Sequence, residues 1–313
     1  PTITTFIRPL IPACYGAVKH GRSAYTAGML RIGTCSWKFP SWERLVYTEA
    51  EPENYLSEYS SRFRTVEIDQ WFWSLFGPET VKLPQPETVA EYAAAVDPSF
   101  HFTIKAPNSI TLTHVYRHAR RHAGEPNSRF LSPELMAQFL ARIDALQSQC
   151  DAVILQFEYL NRHKMDSRGA FLQALDAFLR NIPDGWPIAV ETRNPNYLSL
   201  PYFELLASHG VAHVLNEGYF MPPITEIYRR YRNHLVPRSL IRLLGPDRKG
   251  IEEQTGKRWD RRLAPKDEAL EEIARDITDM LSRSFEVTVN VNNHYEGSAP
   301  RTIEVLEQLL AHP

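Results

Sequence analysis

Charged and amide side chains recur at alternate positions near the ends of short, β-branched segments of this chain. The set comprises Glu67, Asp69, Lys105, Gln156, Glu191, Arg193, Arg242, Asn290 and Asn292. A lone buried charge is unfavourable by several kcal/mol unless it is paired. Charges of both signs in such segments therefore indicate either a structural ion network or a ligand site that uses the same groups.

Two carboxylates are the first candidates for catalysis. Glu67 and Glu191 lie in separate segments and could face each other, one as general acid and the other as base or nucleophile, as in glycoside hydrolysis. The alternative is that both carboxylates only balance arginines. We predict Glu67 and Glu191 as catalytic residues, with hydrolase or lyase chemistry.

A second group of side chains is suited to hold a ligand. We predict that it comprises Lys105, Gln156, Arg193, Arg242, Asn292, Asn293, His294 and Trp37. Lys105 could form a Schiff base if it were desolvated beside an arginine, but a salt bridge to Glu67 or Glu191 is the favoured interpretation. Cys35 is interpreted as a buried small side chain, because nothing in the sequence pairs it with a base.

A metal site is the alternative use of the acidic residues. The candidate ligands are Glu67, Asp69, Glu191 and His114, all with oxygen or imidazole donors. HxH and HExxH spacings are absent from the sequence, and Lys105 and Arg193 would repel a cation. No glycine-rich nucleotide fingerprint is present either, so we expect no cofactor and keep a divalent metal as the alternative.

The elements that must position these groups alternate regularly from residue 30 onward. Eight candidate strands cover residues 30–36, 64–69, 100–106, 151–157, 187–193, 211–217, 238–245 and 286–292. Apolar residues at helical spacing separate them, for example over 132–146, after Ser167 and over 270–281. Eight strand–helix units predict a single (β/α)8 TIM-type barrel, with an open doubly wound sheet as the alternative.

Side-chain alternation then sets which groups enter the barrel. Val66 and Ile68 must face the helices, so Glu67 and Asp69 face the lumen, and the same parity sends Lys105 inward. Active sites of this fold lie at the C-terminal ends of the strands. The polar groups are therefore predicted to meet at one mouth.

Composition limits the class of protein. The chain has 313 residues, 43% hydrophobic, with a net charge of −2, and it contains three cysteines without CxxC spacing. It contains no apolar run of about 18 residues, so we expect no membrane segment and a reducing, cytoplasmic location. Residues 1–29 are interpreted as an N-terminal extension and residues 30–313 as the barrel domain. Oligomeric state is not predicted.

Basic residues cluster in the connections around the predicted mouth. Residues 105–131 hold five Lys/Arg and one acid, and residues 225–262 hold eleven Lys/Arg and five acids. Segments 116–122 and 228–234 mix Arg with Tyr, and the loop 245–250 offers Arg248 and Lys249 for a phosphate. The predicted partner is therefore an anionic, phosphate-bearing small molecule or a nucleic acid. A solvated helix face is the alternative.

Five segments resemble the YecE-like family, also called domain of unknown function 72. They are RIGTCSWKFPSW (31–42), RTVEIDQWFW (64–73), FTIKAPNSITLTH (102–114), VETRNPNY (190–197) and VNVNNHYEGSAP (289–300). The resemblance implies a TIM-type barrel and no established activity. Asp69 departs from the family pattern, which has Asn there, and QFEYLN (156–161) replaces a Gln-Leu-Pro-Pro turn. These departures predict a reshaped mouth.

Three functions follow from these features. The first is an enzyme acting on an anionic ligand at the mouth. The second is a nucleic-acid-binding protein with the architecture of apurinic endonuclease barrels. The third is a binding or scaffold barrel without catalysis.

Overall fold

The computed structural model describes residues 29–77, 80–116, 122–218 and 220–312. Its eight strands form a closed, parallel barrel in sequence order. They are β1 (Met29–Thr34), β2 (Thr65–Ile68), β3 (His101–Lys105), β4 (Cys150–Gln156), β5 (Ile188–Glu191), β6 (Ala212–Gly218), β7 (Arg238–Gly245) and β8 (Glu286–Val291). The predicted (β/α)8 barrel is therefore confirmed.

Helices connect the strands and cover the barrel. They are α1 (Tyr55–Arg62), α2 (Pro86–Ala94), α3 (Asn108–Thr111), α4 (Pro133–Arg142), α5 (Arg168–Leu179), α6 (Leu200–Ser208), α7 (Ile224–Tyr231), α8 (Arg248–Thr255), α9 (Asp267–Ser282) and α10 (Ala299–Ala311). No helix in the described ranges is both long and apolar enough to cross a bilayer.

Local sequence explains where several helices begin. Ser132 accepts a hydrogen bond from the Leu135 amide at 3.1 Å, and Ser167 does the same for the Ala170 amide at 3.0 Å. Such serine caps satisfy amides that have no partner within the helix. The helix predicted over 132–146 is shorter than expected, because α4 ends at Arg142 and a 3-10 turn over Asp144–Gln149 follows.

The apolar core has two main parts, and a small third cluster consists of Leu75, Leu112 and Val115. The larger part lies between the strands and the helices and includes Val66 and Ile68, as the alternation predicts. A smaller part fills the lumen with short and branched side chains: Ala152, Ile154, Ala189, Ala212, Val214 and Leu240. The inward positions that follow them along the strands, among them Gln156, Glu191 and Arg242, form the polar mouth. The lumen is therefore filled by apolar side chains beneath the mouth and opens at the C-terminal ends of the strands.

Candidate functional site

Arg242 of β7 lies at the centre of the mouth and is buried. Its Nε and Nη2 atoms donate to the two carboxylate oxygens of Glu67, both at 2.7 Å. Its Nη1 atom donates to Glu191 and, at 3.2 Å, to Oε1 of Gln156. We call these residues, with Arg193, the Arg242 cluster. Side chains from three other strands, β2, β4 and β5, therefore share one guanidinium.

Glu191 lies behind this guanidinium rather than in contact with the open space of the mouth. It has no exposed surface, and it also forms an ion pair with Arg193. Burial alone would raise the pKa of Glu191, but Arg193 and Arg242 outweigh that effect and the pKa is lowered. Glu191 is thus held as a carboxylate between two cations.

Glu67 has a different electrostatic balance. Burial raises the pKa of Glu67 more than Arg242 and Lys105 lower it. Both of its oxygens nevertheless accept from Arg242, so neither is directed at a ligand. The structure thus brings the two predicted catalytic carboxylates together on one arginine, in an arrangement suited to hold that arginine in place.

Lys105 is not part of this ion network. The expected salt bridge from Lys105 to Glu67 or Glu191 is wrong, because Arg242 takes both carboxylates. The Lys105 ammonium instead lies 4.0 Å from the centre of the Phe72 ring. Among the described residues it has no hydrogen bond and no ion pair. Burial and the neighbouring Arg242 lower the pKa of Lys105.

Asp69 is another charged group of the mouth that lies outside the Arg242 cluster. It directly follows β2, is half-buried and lines the cavity. Burial raises the pKa of Asp69, whereas Lys105, Arg242 and Arg248 act in the opposite direction. Its carboxylate makes no ion pair with any residue in the described ranges. An acid with a raised pKa thus shares the cavity with a base whose pKa is lowered.

These groups open into a cavity of about 1060 Å³. Its polar lining includes Glu67, Asp69, Lys105, Gln156, Arg193, Arg242, Arg248, Glu252, Lys257, Asn292, Asn293 and His294. Its aromatic lining consists of Phe39, Trp42, Phe72, Trp73, Tyr159, Phe220 and Trp259. Phe220 is 95% exposed, so the apolar rim extends into solvent. A polar floor with aromatic walls is typical of small-molecule sites.

The turn after β8 supplies the amides and the imidazole. Asn293 accepts at Oδ1 from the Ala299 amide at the start of α10, 2.8 Å away, and this bond directs its NH2 group elsewhere. That NH2 group is buried and finds no acceptor among the described residues. His294 pairs with Glu252 at 3.1 Å. Gly245 has a φ of 79°, and a Cβ there would lie 2.3 Å from the His294 carbonyl oxygen, so glycine allows β7 to end against this turn.

Besides Glu191, two predicted site residues lie outside the cavity lining. Trp37 is 1% exposed and packs edge-on against Tyr92, with ring centres 5.4 Å apart. His114 bonds to Thr113 at 2.9 Å and is likewise not part of the lining. Within the described ranges, no three His, Cys, Asp or Glu residues are grouped so that they could hold a metal ion. The four predicted metal ligands are therefore not gathered into one site.

Cys35 borders the cavity but is unsuited to nucleophilic attack. Its thiol is buried and lies 3.5 Å from the Asn290 carbonyl oxygen. Burial and the nearby Glu67 raise the pKa of the Cys35 thiol well above its usual range. The thiol stays protonated, as the interpretation of a small buried side chain implies.

The basic segments largely pair within the protein. In segment 228–234, Arg229 contacts Asp276 at 3.3 Å and Arg232 contacts Asp279 at 3.4 Å, both on α9. Lys249 contacts Glu253 at 3.7 Å and lies outside the cavity lining. The arginines predicted between 117 and 121 lie outside the described residues. The described basic residues therefore lend little support to a nucleic-acid surface.

Sequence reasoning assigned Asp69 only to a metal and did not single out Phe72 as a partner of Lys105. Two signals pointed to Asp69: its inward parity and its departure from the family pattern. No sequence signal could place Phe72 over Lys105, because that contact depends on the path of the connection after β2.

Residues 31–313 match the family model described as "Protein of unknown function DUF72", and the chain belongs to this family. A DUF72 protein from Thermotoga maritima is 22% identical, with a TM-score of 0.63, covering 91% of this chain and 100% of the other. One from Enterococcus faecalis is 20% identical, with a TM-score of 0.61, covering 91% and 96%. These similarities show the barrel fold. No curated protein matches the sequence.

Proposed function

We propose that this DUF72 barrel is an acid/base enzyme of the hydrolase or lyase type, acting on an anionic small molecule in the mouth cavity. The observation that carries the proposal is the presence of Asp69 and Lys105 in one cavity, both without an ion-pair partner among the described residues. A charge that the fold does not pair is available to a substrate.

Asp69 and Lys105 suit proton transfer better than Glu67 and Glu191. A general acid or base works best when its pKa is near the operating pH. Burial raises the pKa of Asp69 and lowers the pKa of Lys105, so both pKa values shift toward neutral pH. Glu67 and Glu191 instead hold Arg242, so we assign them a positioning role.

The charges of the lining support an anionic ligand. Its cations are Lys105, Arg193, Arg242, Arg248 and Lys257, and its acids are Glu67, Asp69 and Glu252. The cations outnumber the acids even when buried Glu191 is added. A cavity wall of low dielectric concentrates this excess of positive charge and favours an anion.

The aromatic walls support an organic ligand rather than a simple ion. Trp73 and Tyr159 are exposed at the rim, and Trp42 and Trp259 lie deeper. Such rings stack on apolar faces of sugars and other rings. A carbon skeleton that bears a carboxylate or phosphate suits both the aromatic walls and the polar floor of the cavity.

The proposal is tested by substrate profiling with matched variants. Wild-type protein, Asp69→Asn, Lys105→Met and the exposed control Lys249→Met are incubated with phosphoesters, sugar phosphates, glycosides and oxo acids. Mass spectrometry then follows substrate loss. We expect turnover that Lys249→Met retains and that each cavity variant lowers by at least about 100-fold.

Turnover that survives both cavity variants would disprove the assignment of Asp69 and Lys105. A panel in which anionic compounds bind without being converted would favour the binding barrel. Binding that is confined to nucleic acid and weakens steeply with salt would favour the nucleic-acid hypothesis.

A further inference from the structure

We propose that Lys105 forms a covalent imine with a carbonyl compound that carries an anionic group. This inference rests on the proposed function and names its substrate class, an aldehyde or ketone bearing a carboxylate or phosphate. The surroundings of Lys105 and the size of the cavity carry it.

Burial and a neighbouring arginine make Lys105 easier to deprotonate than an exposed lysine. The side chain is 9% exposed, lines the cavity, and contacts the Phe72 ring instead of a carboxylate. Among the neighbouring charges, Arg242 has the largest effect on Lys105, and it disfavours the protonated form. A lysine that is desolvated or placed near another cation is the usual form of an imine-forming lysine, because only the neutral amine attacks a carbonyl. The lowered pKa of Lys105 agrees with this geometry.

Glu67 and Glu191 are arranged so that neither forms an ion pair with Lys105 in the part of the chain that the structure describes. Glu67 presents both oxygens to Arg242, and Glu191 is shared between Arg242 and Arg193. If either acid were released from Arg242, it could form an ion pair with Lys105 and stabilise the protonated form of the lysine. The Arg242 cluster therefore withholds two carboxylates from Lys105.

The chemistry balances with groups already in the cavity. The Nζ lone pair forms a bond to the carbonyl carbon as the C=O π bond breaks, and one Nζ proton passes to the carbonyl oxygen to give a neutral carbinolamine. Protonated Asp69 supplies a second proton, the hydroxyl group leaves as water, and a protonated imine remains. Asp69 is then a carboxylate and can remove a proton from the carbon next to the imine. No oxidant or reductant is required.

The cavity is much larger than the smallest compounds of this class, which indicates that the natural substrate extends beyond the carbonyl group. Trp42 Nε1 and the Asn293 NH2 group belong to buried residues of the lining and have no acceptor among the described residues. They are suited to donate to oxygen atoms at the far end of such a substrate. Arg193 contributes positive charge to the same lining.

The experiment is borohydride trapping on the intact protein at neutral pH. Glyoxylate and pyruvate serve as carboxylate probes, and glyceraldehyde 3-phosphate serves as the phosphate probe. Reduction of a glyoxylate imine leaves a carboxymethyl group on the lysine, which intact mass and peptide mapping detect. We expect one group per chain, on Lys105, formed faster than on exposed lysines, because a lowered pKa enlarges the fraction of neutral amine.

Matched variants separate this site from general lysine reactivity. Lys105→Met should lose the adduct and keep its thermal transition. Lys249→Met, which changes an exposed lysine outside the cavity lining, should keep the adduct. Comparing the carboxylate and phosphate probes identifies which anionic group the cavity prefers.

Labelling spread over surface lysines with Lys105 unmodified would overturn the inference, as would equal labelling in Lys105→Met. The proposed function has an independent outcome. If Lys105 forms no adduct while Asp69→Asn still abolishes turnover, the imine is excluded and acid/base catalysis stands.

Discussion

Both ends of the barrel lumen carry charged side chains, but the two ends differ in how completely those side chains are paired. At the N-terminal end, Arg31 donates to Asp151 at 3.0 Å, and Thr288 donates to the other oxygen of Asp151 at 2.9 Å. His101 completes the group by contacting the same carboxylate at 2.9 Å. At the C-terminal end, Arg242 is satisfied in the same way, yet Lys105 and Asp69 have no ion-pair partner among the described residues.

An apolar layer separates the two ends, so each network is stabilised on its own. Ile154, Val214 and Leu240 belong to this layer. The charged groups at the N-terminal end pair with one another and close the barrel. At the C-terminal end, two charged groups have no ion-pair partner among the described residues and are available to a ligand. This difference agrees with our proposal that the Arg242 cluster has a positioning role and that Asp69 and Lys105 act on the ligand.

The largest expected effect tests whether the two arginines are equally important for folding. Arg242→Met leaves Glu67 and Glu191 buried without their shared cation, and loss of one partner of a buried ion pair costs about 3–5 kcal/mol. Arg31→Met should cost less, because Asp151 keeps Thr288 and lies closer to solvent. Urea unfolding of both variants measures the free energies. Equal losses would remove the distinction between the ends.

An intermediate effect compares one paired and one unpaired aspartate. Asp151→Asn weakens two charge-assisted bonds and should lower the free energy of unfolding by about 1–3 kcal/mol. Asp69→Asn breaks no ion pair among the described residues and should not lower it. Parallel thermal and urea melts of the two variants give the comparison. A comparable loss in Asp69→Asn would reveal a structural role for Asp69.

The pH dependence of Asp69→Asn sharpens this comparison. The pKa of Asp69 is raised in the folded protein, so the folded state binds the proton more tightly than the unfolded state. The stabilisation it provides is therefore full below the unfolded pKa of about 3.9 and is lost as the pH rises through the folded pKa. Asp69→Asn should gain stability relative to wild type as the pH rises. A gap that is constant with pH would contradict the raised pKa.

The smallest effect on stability is expected for Lys105→Met. The change removes a buried ammonium that has no ion-pair partner in the described ranges and replaces it with an apolar chain of similar length. The cation–π contact with Phe72 is lost, at a cost of about 0.5–2 kcal/mol, while the desolvation penalty of the charge is relieved. The free energy of unfolding should stay within about 1 kcal/mol of wild type. A loss above about 3 kcal/mol would show that Lys105 is part of the scaffold.

The sequence alone determined which side chains enter the lumen. Apolar Val66 and Ile68 must face the helices, and the twofold period of a strand then turns Glu67 and Asp69 inward. The same reasoning placed Lys105, Glu191 and Arg242, since the helix-facing side of each strand cannot bear charge. Strand order followed from the alternation of strands and helices.

Only the tertiary structure decided which charges pair. Glu67, Lys105, Glu191 and Arg242 come from four strands that are far apart in the sequence, and their partners depend on height within the barrel and on side-chain reach. The planar fork of Arg242 spans two carboxylates at once, which the single ammonium of Lys105 cannot match in geometry. Among the described residues, that competition leaves Lys105 without an ion pair, which is why we propose Asp69 and Lys105 rather than Glu67 and Glu191 for proton transfer.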